Sequence, residues 1–251
     1  MSSTRPIRFY DIPTKSGTAV SLNTLKTMYT LTYKRIPFER IWVEMPDIEN
    51  TCKSIGAPPT GKKADGSPFY TLPVIHDPST GESISDSFLI MEYLEKTYPS
   101  APERALIPPG TTALQKAFID AYRGKTFPVL TPLLMPRTAE VLNPPSEEYF
   151  RRTKEVKLGK SITELEPKGE KRVEVWKQVQ DAFGVVDAWI ENGRFVMGDR
   201  VSFADFDLAG MFLWIRIAWG EDSEEWKNVS SWHGGRWSRL LKELEVYEKL
   251  I

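Results

Sequence analysis

The chain has 251 residues and a mass of 28.7 kDa, enough for one large domain or two small ones. Hydrophobic residues make up 41% and charged residues 27%, a composition that supports a packed core and excludes wholesale disorder. Lysine and arginine number 33 against 34 acidic residues, so the chain offers no net positive field for nucleic acid. With one cysteine and two histidines, an intrachain disulfide is excluded and a Cys/His zinc site is not expected.

No segment predicts export or membrane insertion. The first six residues lack the apolar stretch of a signal peptide. The most apolar run, Leu208 to Trp219, contains Arg216 and is far shorter than the roughly 20 residues that span a bilayer. We therefore expect a cytoplasmic protein without a membrane partner.

The first hundred residues mix strand and helix patterns. Short apolar runs predict four strands, and apolar residues spaced by three and four predict two helices. The segment from Pro46 to Ser67 is rich in Gly, Pro and Lys and is predicted to be irregular. In chain order we expect a strand at Ile7–Ile12, a helix at Leu22–Tyr33, a strand at Phe38–Val43, the irregular segment, a strand at Leu72–Asp77, a turn at Pro78–Gly81, a strand at Glu82–Ile84 and a helix that begins at Ser85 or Asp86.

After a proline-dense stretch, the remaining sequence predicts helices only. The pattern over 112–142 is one long helix, whose prolines at 128, 132 and 136 predict a bend or break. Further helices are expected at 146–160, at 168–191, from a capping box at Ser202 and Asp205 onward, and at 237–250. The expected fold class is therefore an α/β N-terminal domain at residues 1–100, a linker at 101–111 and an all-α domain at 112–251.

Two common enzyme patterns are not supported. Gly56–Lys62 matches the first seven positions of a phosphate-binding loop, but Lys63 stands where Ser or Thr should hold magnesium. Two prolines also remove amide donors from that loop. No Gly-x-Ser-x-Gly elbow accompanies His76 or His233, so we do not expect a serine hydrolase.

Two other features bear on ligand binding. Pro73 at the head of an apolar strand cannot donate to a sheet ladder. It is either an edge-strand proline or part of a cis peptide that frees the backbone of Leu72 for another partner. Asp86 and Ser87 at a helix start are either a simple cap or an anion site.

The order of these features resembles that of glutathione transferases. Leu72–Ile75 followed by Asp86–Leu94 is similar to the glutathione-binding signature of that family. Ser202-x-x-Asp205 resembles the capping box of its helical domain, and Lys34–Glu39 is similar to a passage that usually reads Lys-Gly-x-Pro-Tyr-Glu. The resemblance covers nearly the whole chain. It implies a thioredoxin-like domain followed by an all-α helical bundle, glutathione as co-substrate and a homodimer.

A narrower resemblance links the start of the first helix to bacterial lignin β-etherases and fungal-specific class A transferases. It rests on Ser16–Ser21 and on Lys26-Thr27-x-Tyr29 in the following helix. By that likeness Ser21 is the catalytic serine, Ser16 is the competing candidate and Asn23 is a helper amide. A serine at a helix start is often only a cap. No cysteine stands at this helix, so disulfide reductase activity is not expected.

Glutathione presents three groups to be held: its cysteinyl part, its γ-glutamyl end and its glycyl carboxylate. The resemblance implies, in that order, the backbone of Leu72 beside a cis Pro73, the pair Asp86 and Ser87, and a cation supplied by Lys62 or Lys63. No metal ion is implied.

The second substrate is expected to be apolar or aromatic and to bind between the two domains. Candidate pocket side chains, which at helical spacing can equally belong to the core, are Tyr122, Phe127, Met135, Met211 and Trp214. The expected reaction is attack of the glutathione thiolate on an electrophilic carbon, by conjugation or by aryl-ether cleavage. The alternatives are a non-catalytic binder of aromatic compounds on the same fold and a structural module.

Overall fold

A computed structural model of the chain describes residues 5–248. The strands of this range all lie in its N-terminal part, where three α-helices alternate with them. The elements are β1 (Ile7–Asp11), α1 (Leu22–Tyr33), β2 (Phe38–Trp42), α2 (Ile48–Ser54), β3 (Gly61–Lys62), β4 (Pro68–Phe69), β5 (Val74–Asp77), β6 (Glu82–Ser85) and α3 (Ser87–Thr97).

Four strands form one mixed sheet in the order β2-β1-β5-β6. Strands β1 and β2 are parallel, and the other two pairs are antiparallel. Because side chains alternate along a strand, Phe9 and Ile75 pack into the apolar cluster that contains α1 and α3, while Tyr10 and Val74 pack into a second cluster on the other face. Both faces of the sheet are therefore covered.

The segment predicted to be irregular contains regular structure. The helix α2 buries Ile48 and Cys52, which are four residues apart and so share one helical face. The strands β3 and β4 then pair as a short antiparallel hairpin. The prediction of irregularity was wrong here because a seven-residue helix with a single buried pair gives too short a period to detect.

The remainder of the described chain is helical. Its α-helices are α4 (Thr112–Val141), α5 (Pro144–Leu158), α6 (Ile162–Leu165), α7 (Gly169–Ile190), α8 (Phe203–Trp219) and α9 (Glu224–Leu244). Helix α4 runs through all three of its prolines without a break. The expected thioredoxin-like region followed by a helical bundle is confirmed. Within residues 5–248, no helix combines the length and apolar character that crossing a bilayer requires.

The last helix differs from its prediction. Helix α9 begins at Glu224, far before the predicted start at Trp237, and the hydroxyl of Ser223 caps it by accepting from the backbone N–H of Trp226 at 3.0 Å. Residues 232–235 inside it have non-helical dihedrals, so the helix is kinked. The predicted end at Leu250 lies outside the described residues.

Helix α8 connects the two regions because it packs against both α1 and α4. Its predicted capping box is confirmed, and Asp205 Oδ2 accepts from the backbone N–H of Ser202 at 2.8 Å. A Cβ at Gly210 of α8 would lie 3.0 Å from the carbonyl oxygen of Leu22. The absence of a side chain at Gly210 therefore lets α8 approach the first turn of α1, which positions that turn.

Candidate active site

A cavity of about 430 Å³ lies where the N-terminal end of α1 faces α5. The N-terminal region contributes Ser21 and Asn23 from the start of α1, and Leu72 from the segment before β5. The helical region contributes Tyr149 and Lys154 from α5. Both regions therefore shape one site, as expected for a substrate cleft between two structural units.

Ser21 is the residue that precedes α1. Its backbone is extended, with φ −80° and ψ 120°, and its carbonyl oxygen accepts from the backbone N–H of Leu25 at 2.9 Å. Its hydroxyl makes no capping hydrogen bond and has no partner among residues 5–248. The hydroxyl is therefore free to donate to a ligand, at the helix end where unpaired amides and the helix dipole favour negative charge.

Ser16 is placed differently from Ser21. It is exposed, and its hydroxyl lies 3.0 Å from the Oγ1 atoms of both Thr14 and Thr18. It is not among the residues that line the cavity. Of the two competing serines, the geometry favours Ser21 as the donor to a ligand.

Asn23 lies on the first turn of α1 and also lines the cavity. Its side-chain carbonyl accepts from Arg123 Nη2 at 3.3 Å. Because the carbonyl is held in this way, the amide NH₂ of Asn23 remains as a donor. This geometry suits the predicted helper role of Asn23 as a second hydrogen-bond donor beside Ser21.

Arg123, which donates to the side chain of Asn23, belongs to a charge cluster around the buried Asp207. Asp207 of α8 is fully buried and accepts from Lys26 Nζ at 2.7 Å and from Arg123 Nη2 at 2.6 Å. Burial opposes ionisation of Asp207, but the two cations outweigh it and lower the pKa of that carboxyl. The cluster thus joins α1, α4 and α8 by charge-assisted hydrogen bonds behind the site.

The peptide bond between Leu72 and Pro73 is cis, so that prediction is confirmed. Strand β5 begins only at Val74, which lies opposite Ser85 of β6. The backbone of Leu72 therefore stands outside the sheet ladder, and Leu72 is one of the residues that line the cavity.

Asp86 caps α3, as one of the two interpretations of that helix start predicted. Its Oδ1 accepts from the backbone N–H groups of Phe88 at 2.8 Å and Leu89 at 3.1 Å. Asp86 is exposed, and its φ of 77° places the backbone in the left-handed region, while Ser87 is buried. Neither residue lines the cavity, but the pairing of Ser85 with Val74 places both close to the Leu72–Pro73 segment.

The predicted cation Lys62 is not at the cavity. Lys62 is exposed on the two-residue strand β3, and the lining residue is its neighbour Lys63. Lys63 directly follows this strand, so the two lysines differ in position by a single residue. Lys63 Nζ is in turn paired with Glu49 Oε2 at 2.7 Å. Hydrogen bonds from Lys53 and Lys63 lower the pKa of Glu49 to about 2.

Lys154 is the lysine in the cavity wall without a carboxylate partner among residues 5–248. Burial lowers the pKa of Lys154, and the like charge of Lys157 lowers it further. Its Nζ lies 5.4 Å from the centroid of the Phe150 ring. This partly buried cation is consequently suited to an anionic group of a ligand.

The predicted pocket for the second substrate needs correction. Tyr122 and Met211 have no exposed surface, and the Tyr122 hydroxyl donates to Asp207 in the buried charge cluster. Both belong to the core because their helix faces pack against neighbouring helices. They cannot line an open cleft in this conformation.

The other three predicted pocket residues, Phe127, Met135 and Trp214, are partly buried but do not line the cavity either. Phe127 and Trp214 pack edge to face with ring centroids 6.3 Å apart. Trp214 Nε1 donates to Thr138 Oγ1 at 2.8 Å. These side chains are engaged with one another and with α4.

The apolar wall of the cavity was not predicted from the sequence; its residues come from the segment between β2 and α2, from β4 and the segment after it, and from α5. The missed residues are Met45, Phe69, Tyr70, Tyr149 and Phe150. A helix at 146–160 was predicted, but its periodicity shows only that it has an apolar face, not that this face lies over the start of α1.

Comparison with known proteins assigns both regions. Residues 20–97 match the family model described as the glutathione S-transferase N-terminal domain, and residues 113–247 match that of the glutathione S-transferase C-terminal domain. The glutathione S-transferase-like protein ustS of Aspergillus flavus is 31% identical over 94% of this chain and 88% of its own length.

Solved structures agree with these matches. The glutathione S-transferase CsGST63524 of Ceriporiopsis subvermispora, crystallised in complex with glutathione, is 44% identical with a TM-score of 0.93, over 98% of this chain and 99% of its own. Glutathione transferase GSTFuA3 of Phanerochaete chrysosporium is 41% identical with a TM-score of 0.92, over 99% of this chain and 100% of its own. The chain belongs to the glutathione S-transferase family.

Proposed function

We propose that this protein is a glutathione transferase in which the Ser21 hydroxyl stabilises the glutathione thiolate for attack on an apolar or aromatic electrophile. The observation that carries the proposal is that Ser21 lines the cavity at the N-terminal end of α1 and that its hydroxyl has no partner among residues 5–248. Sulfur placed there receives a hydroxyl donor and the favourable potential of a helix N-terminus.

The energetic demand on the site is modest. A free thiol has a pKa of about 8.5, so only about 3% is ionised at pH 7. Lowering that pKa by about two units makes roughly three-quarters of the thiol ionised. The site must then stabilise the thiolate over the thiol by about 2.7 kcal/mol. One hydroxyl hydrogen bond, the amide of Asn23 and the first turn of α1 together supply interactions of this size.

The remaining contacts to glutathione follow from the same geometry. The Leu72 backbone beside the cis Pro73 holds the cysteinyl part, because its backbone groups lie outside the sheet ladder. Asp86 and Ser87 receive the γ-glutamyl ammonium and carboxylate. For the glycyl carboxylate we propose Lys154 in place of the predicted Lys62, since Lys154 lines the cavity and has no carboxylate partner within residues 5–248.

The second substrate is proposed to bind against the aromatic wall formed by Tyr70, Tyr149 and Phe150. Aromatic walls of this kind favour flat apolar molecules. With a chlorinated aromatic or an ether as substrate, the thiolate sulfur forms a bond to an electrophilic carbon and the leaving group departs with the electron pair; with an isothiocyanate the sulfur adds to the carbon and the nitrogen takes up a proton. With an aryl ether as substrate the leaving group is a phenolate, which takes up a proton.

We also propose a homodimer and a cytoplasmic location. Leu89 of α3 and Leu114 of α4 are 52% and 66% exposed, which favours a covered apolar face in the assembled protein. The buried free thiol of Cys52 is compatible with a reducing compartment. Sedimentation of a single species at the mass of one chain, or secretion of the tagged full chain, would contradict these proposals.

The deciding experiment measures glutathione-dependent turnover of a chlorinated nitroaromatic, an isothiocyanate and a β-aryl ether. Turnover of at least one of them, reduced in Ser21→Ala and retained in Ser16→Ala, is expected. Tight binding of an aromatic dye without turnover of any of the three would instead support the alternative, a non-catalytic binder of aromatic compounds.

A further inference from the structure

A second cavity, of about 480 Å³, lies at the opposite end of α1 from Ser21. Its walls come from the C-terminal end of α1, the start of β1 and the segment after α3. Helix α1 has 12 residues, so at a rise of about 1.5 Å per residue its two ends are about 18 Å apart. The cavity is therefore separate from the candidate active site, and the proposed function makes no use of it.

The wall of this second cavity is basic. Arg5, Lys34, Arg35 and Arg104 line it, and none of the lining residues in the described part of the chain is acidic. Lys34 is neutralised, because its Nζ donates to Glu95 Oε1 at 2.9 Å. The three arginines form no ion pair with any residue in the range 5–248.

Arg104 has a local role at the helix end. Its Nη2 donates to the backbone carbonyl oxygen of Tyr33 at 2.6 Å, and its guanidinium carbon lies 4.8 Å from the centroid of the Tyr33 ring. It therefore satisfies one of the carbonyls that every helix leaves unpaired at its C-terminus. The unpaired carbonyls of a helix end together amount to only about half an elementary negative charge. The charges of Arg5 and Arg35 therefore exceed it, and no acidic residue in the described wall balances them.

Arg35 occupies a backbone conformation that costs an ordinary side chain energy. Its φ is 56°, in the left-handed region that residues other than glycine rarely adopt. The passage that Lys34–Glu39 resembles usually has glycine at this position. The end of α1 fixes this conformation, because the backbone N–H of Arg35 donates to Thr32 O at 2.9 Å and that of Ile36 donates to Leu31 O at 3.0 Å, the pattern of a helix cap. Glycine at position 35 is therefore compatible with the fold.

Arg35 and Arg104 both line this cavity. Each guanidinium offers a fork of N–H donors that matches the oxygens of a phosphate. The apolar side chains of Ile36, Pro37 and Tyr98 complete the wall.

We propose that this cavity binds a phosphate monoester that carries an apolar group, with the phosphate between Arg35 and Arg104 and the apolar group against Pro37 and Tyr98. A phosphate dianion balances the excess positive charge of the wall. The apolar lining distinguishes such an ester from inorganic phosphate. The proposal does not rest on glutathione binding or on transferase activity.

Calorimetric titration of the full chain with phenyl phosphate, at low salt and above pH 7.5, tests the site. Arg35→Gly relieves the backbone strain, so the variant folds, and loss of one charge-assisted contact is expected to weaken phenyl phosphate binding by about tenfold or more. Arg35→Gln should behave similarly. Lys177→Gln removes one exposed charge elsewhere and should leave the affinity unchanged.

Two ligand controls complete the test. Inorganic phosphate should bind more weakly than phenyl phosphate and should show the same dependence on Arg35, whereas phenol should not bind. Ser21→Ala should retain the affinity of the natural sequence. Equal affinity in Arg35→Gly, equal weakening in Lys177→Gln, phenol binding as tight as that of phenyl phosphate, or loss of binding in Ser21→Ala would each overturn the proposal.

Discussion

The two ends of α1 make opposite electrostatic demands on the residues around them. At the N-terminal end unpaired amides already favour an anion, and the role that we propose there, stabilising a thiolate, falls to a neutral hydroxyl and an amide, those of Ser21 and Asn23. At the C-terminal end unpaired carbonyls disfavour an anion, and the residues there are cations in excess, among them Arg35 and Arg104. The two proposals therefore place an anion site at each end of one helix, with different chemistry at each.

The two ends are also anchored differently. The N-terminal end is tied to α4 and α8 by the buried cluster of Lys26, Arg123 and Asp207. The C-terminal end is tied to the segment after α3 through Arg104, and to α3 itself through the pairing of Lys34 with Glu95. We expect disruption at the N-terminal end to affect both stability and activity, and disruption at the C-terminal end to affect neither strongly.

The largest expected effect is on stability at the N-terminal end. Asp207→Ala leaves the buried Lys26 and the partly buried Arg123 without their carboxylate, which should lower the free energy of unfolding by about 3–5 kcal/mol in urea denaturation. Asp120→Ala, an exposed position on α4, should change it by less than about 0.5 kcal/mol. Equal, small losses in both variants would show that the cluster does not anchor α1.

The next effect is catalytic. Ser21→Ala should lower kcat/KM with glutathione by up to about a hundredfold, because one hydrogen bond to the thiolate is lost. Its free energy of unfolding should hardly change, since the hydroxyl makes no capping bond. Ser16→Ala is the matched control, and an undiminished Ser21→Ala enzyme would move the role to Ser16 or to the backbone amides.

A smaller effect concerns the glycyl end of glutathione. Lys154→Gln should weaken glutathione binding by about tenfold in calorimetry, because one charge-assisted contact disappears. γ-Glutamylcysteine, which lacks the glycyl residue, should bind this variant and the natural sequence equally. Lys157→Gln, on the same helix, should leave both affinities unchanged; equal weakening of both ligands by Lys154→Gln would remove Lys154 from the glycyl site.

The free energy of unfolding should also depend on pH, through the buried carboxyl of Asp11. Burial raises the pKa of Asp11 to about 6, above its ordinary value of 3.8. The folded state then keeps a proton that the unfolded chain loses between about pH 4 and pH 6, so this group's contribution to stability is present at low pH and lost as pH rises through the folded pKa.

Asp11→Asn tests this dependence. The natural sequence should lose about 1 kcal/mol more of its unfolding free energy than the variant between pH 5 and pH 7, as measured by urea denaturation at each pH. Burial also raises the pKa of Asp205 to about 6, so a residual slope of the same sign should remain in the variant. Identical pH profiles for the two proteins would contradict the raised pKa of Asp11.

The smallest effect belongs to the C-terminal end. Arg35→Gly should raise the free energy of unfolding by up to about 1 kcal/mol, because glycine adopts the left-handed backbone without strain while its greater freedom in the unfolded chain offsets part of the gain. Arg35→Ala keeps the strain and should show no such gain. Equal stability of the Gly and Ala variants in thermal denaturation would mean that the backbone at Arg35 is not strained.

How far the sequence predicts this molecule depends on how local each feature is. Local chemistry left two possibilities for Pro73, a cis peptide or an edge-strand proline, and two for Asp86, a cap or an anion site; the structure has the cis peptide and the cap. The choice between Lys62 and Lys63 could not be predicted, because nothing in the sequence distinguishes adjacent lysines and only the fold shows which of them lines the cavity.

Long-range packing set the other limits. Tyr122 and Tyr149 both lie on amphipathic helices, and periodicity predicts a buried face without naming the partner that covers it. Only the fold places Tyr122 in the core and Tyr149 at the cavity. The three prolines of α4 are spaced by four residues, so they lie close to one helical face, where a helix tolerates missing hydrogen bonds by bending instead of breaking.

The most direct test of the central claim is a titration of the thiol of bound glutathione, followed by ultraviolet absorbance of the thiolate. In the natural sequence the pKa should lie about two units below the free value of about 8.5, and in Ser21→Ala it should return most of the way to that value. A bound thiol that titrates like free glutathione in the natural sequence, or an equally low pKa in Ser21→Ala, would contradict the role proposed for the start of α1.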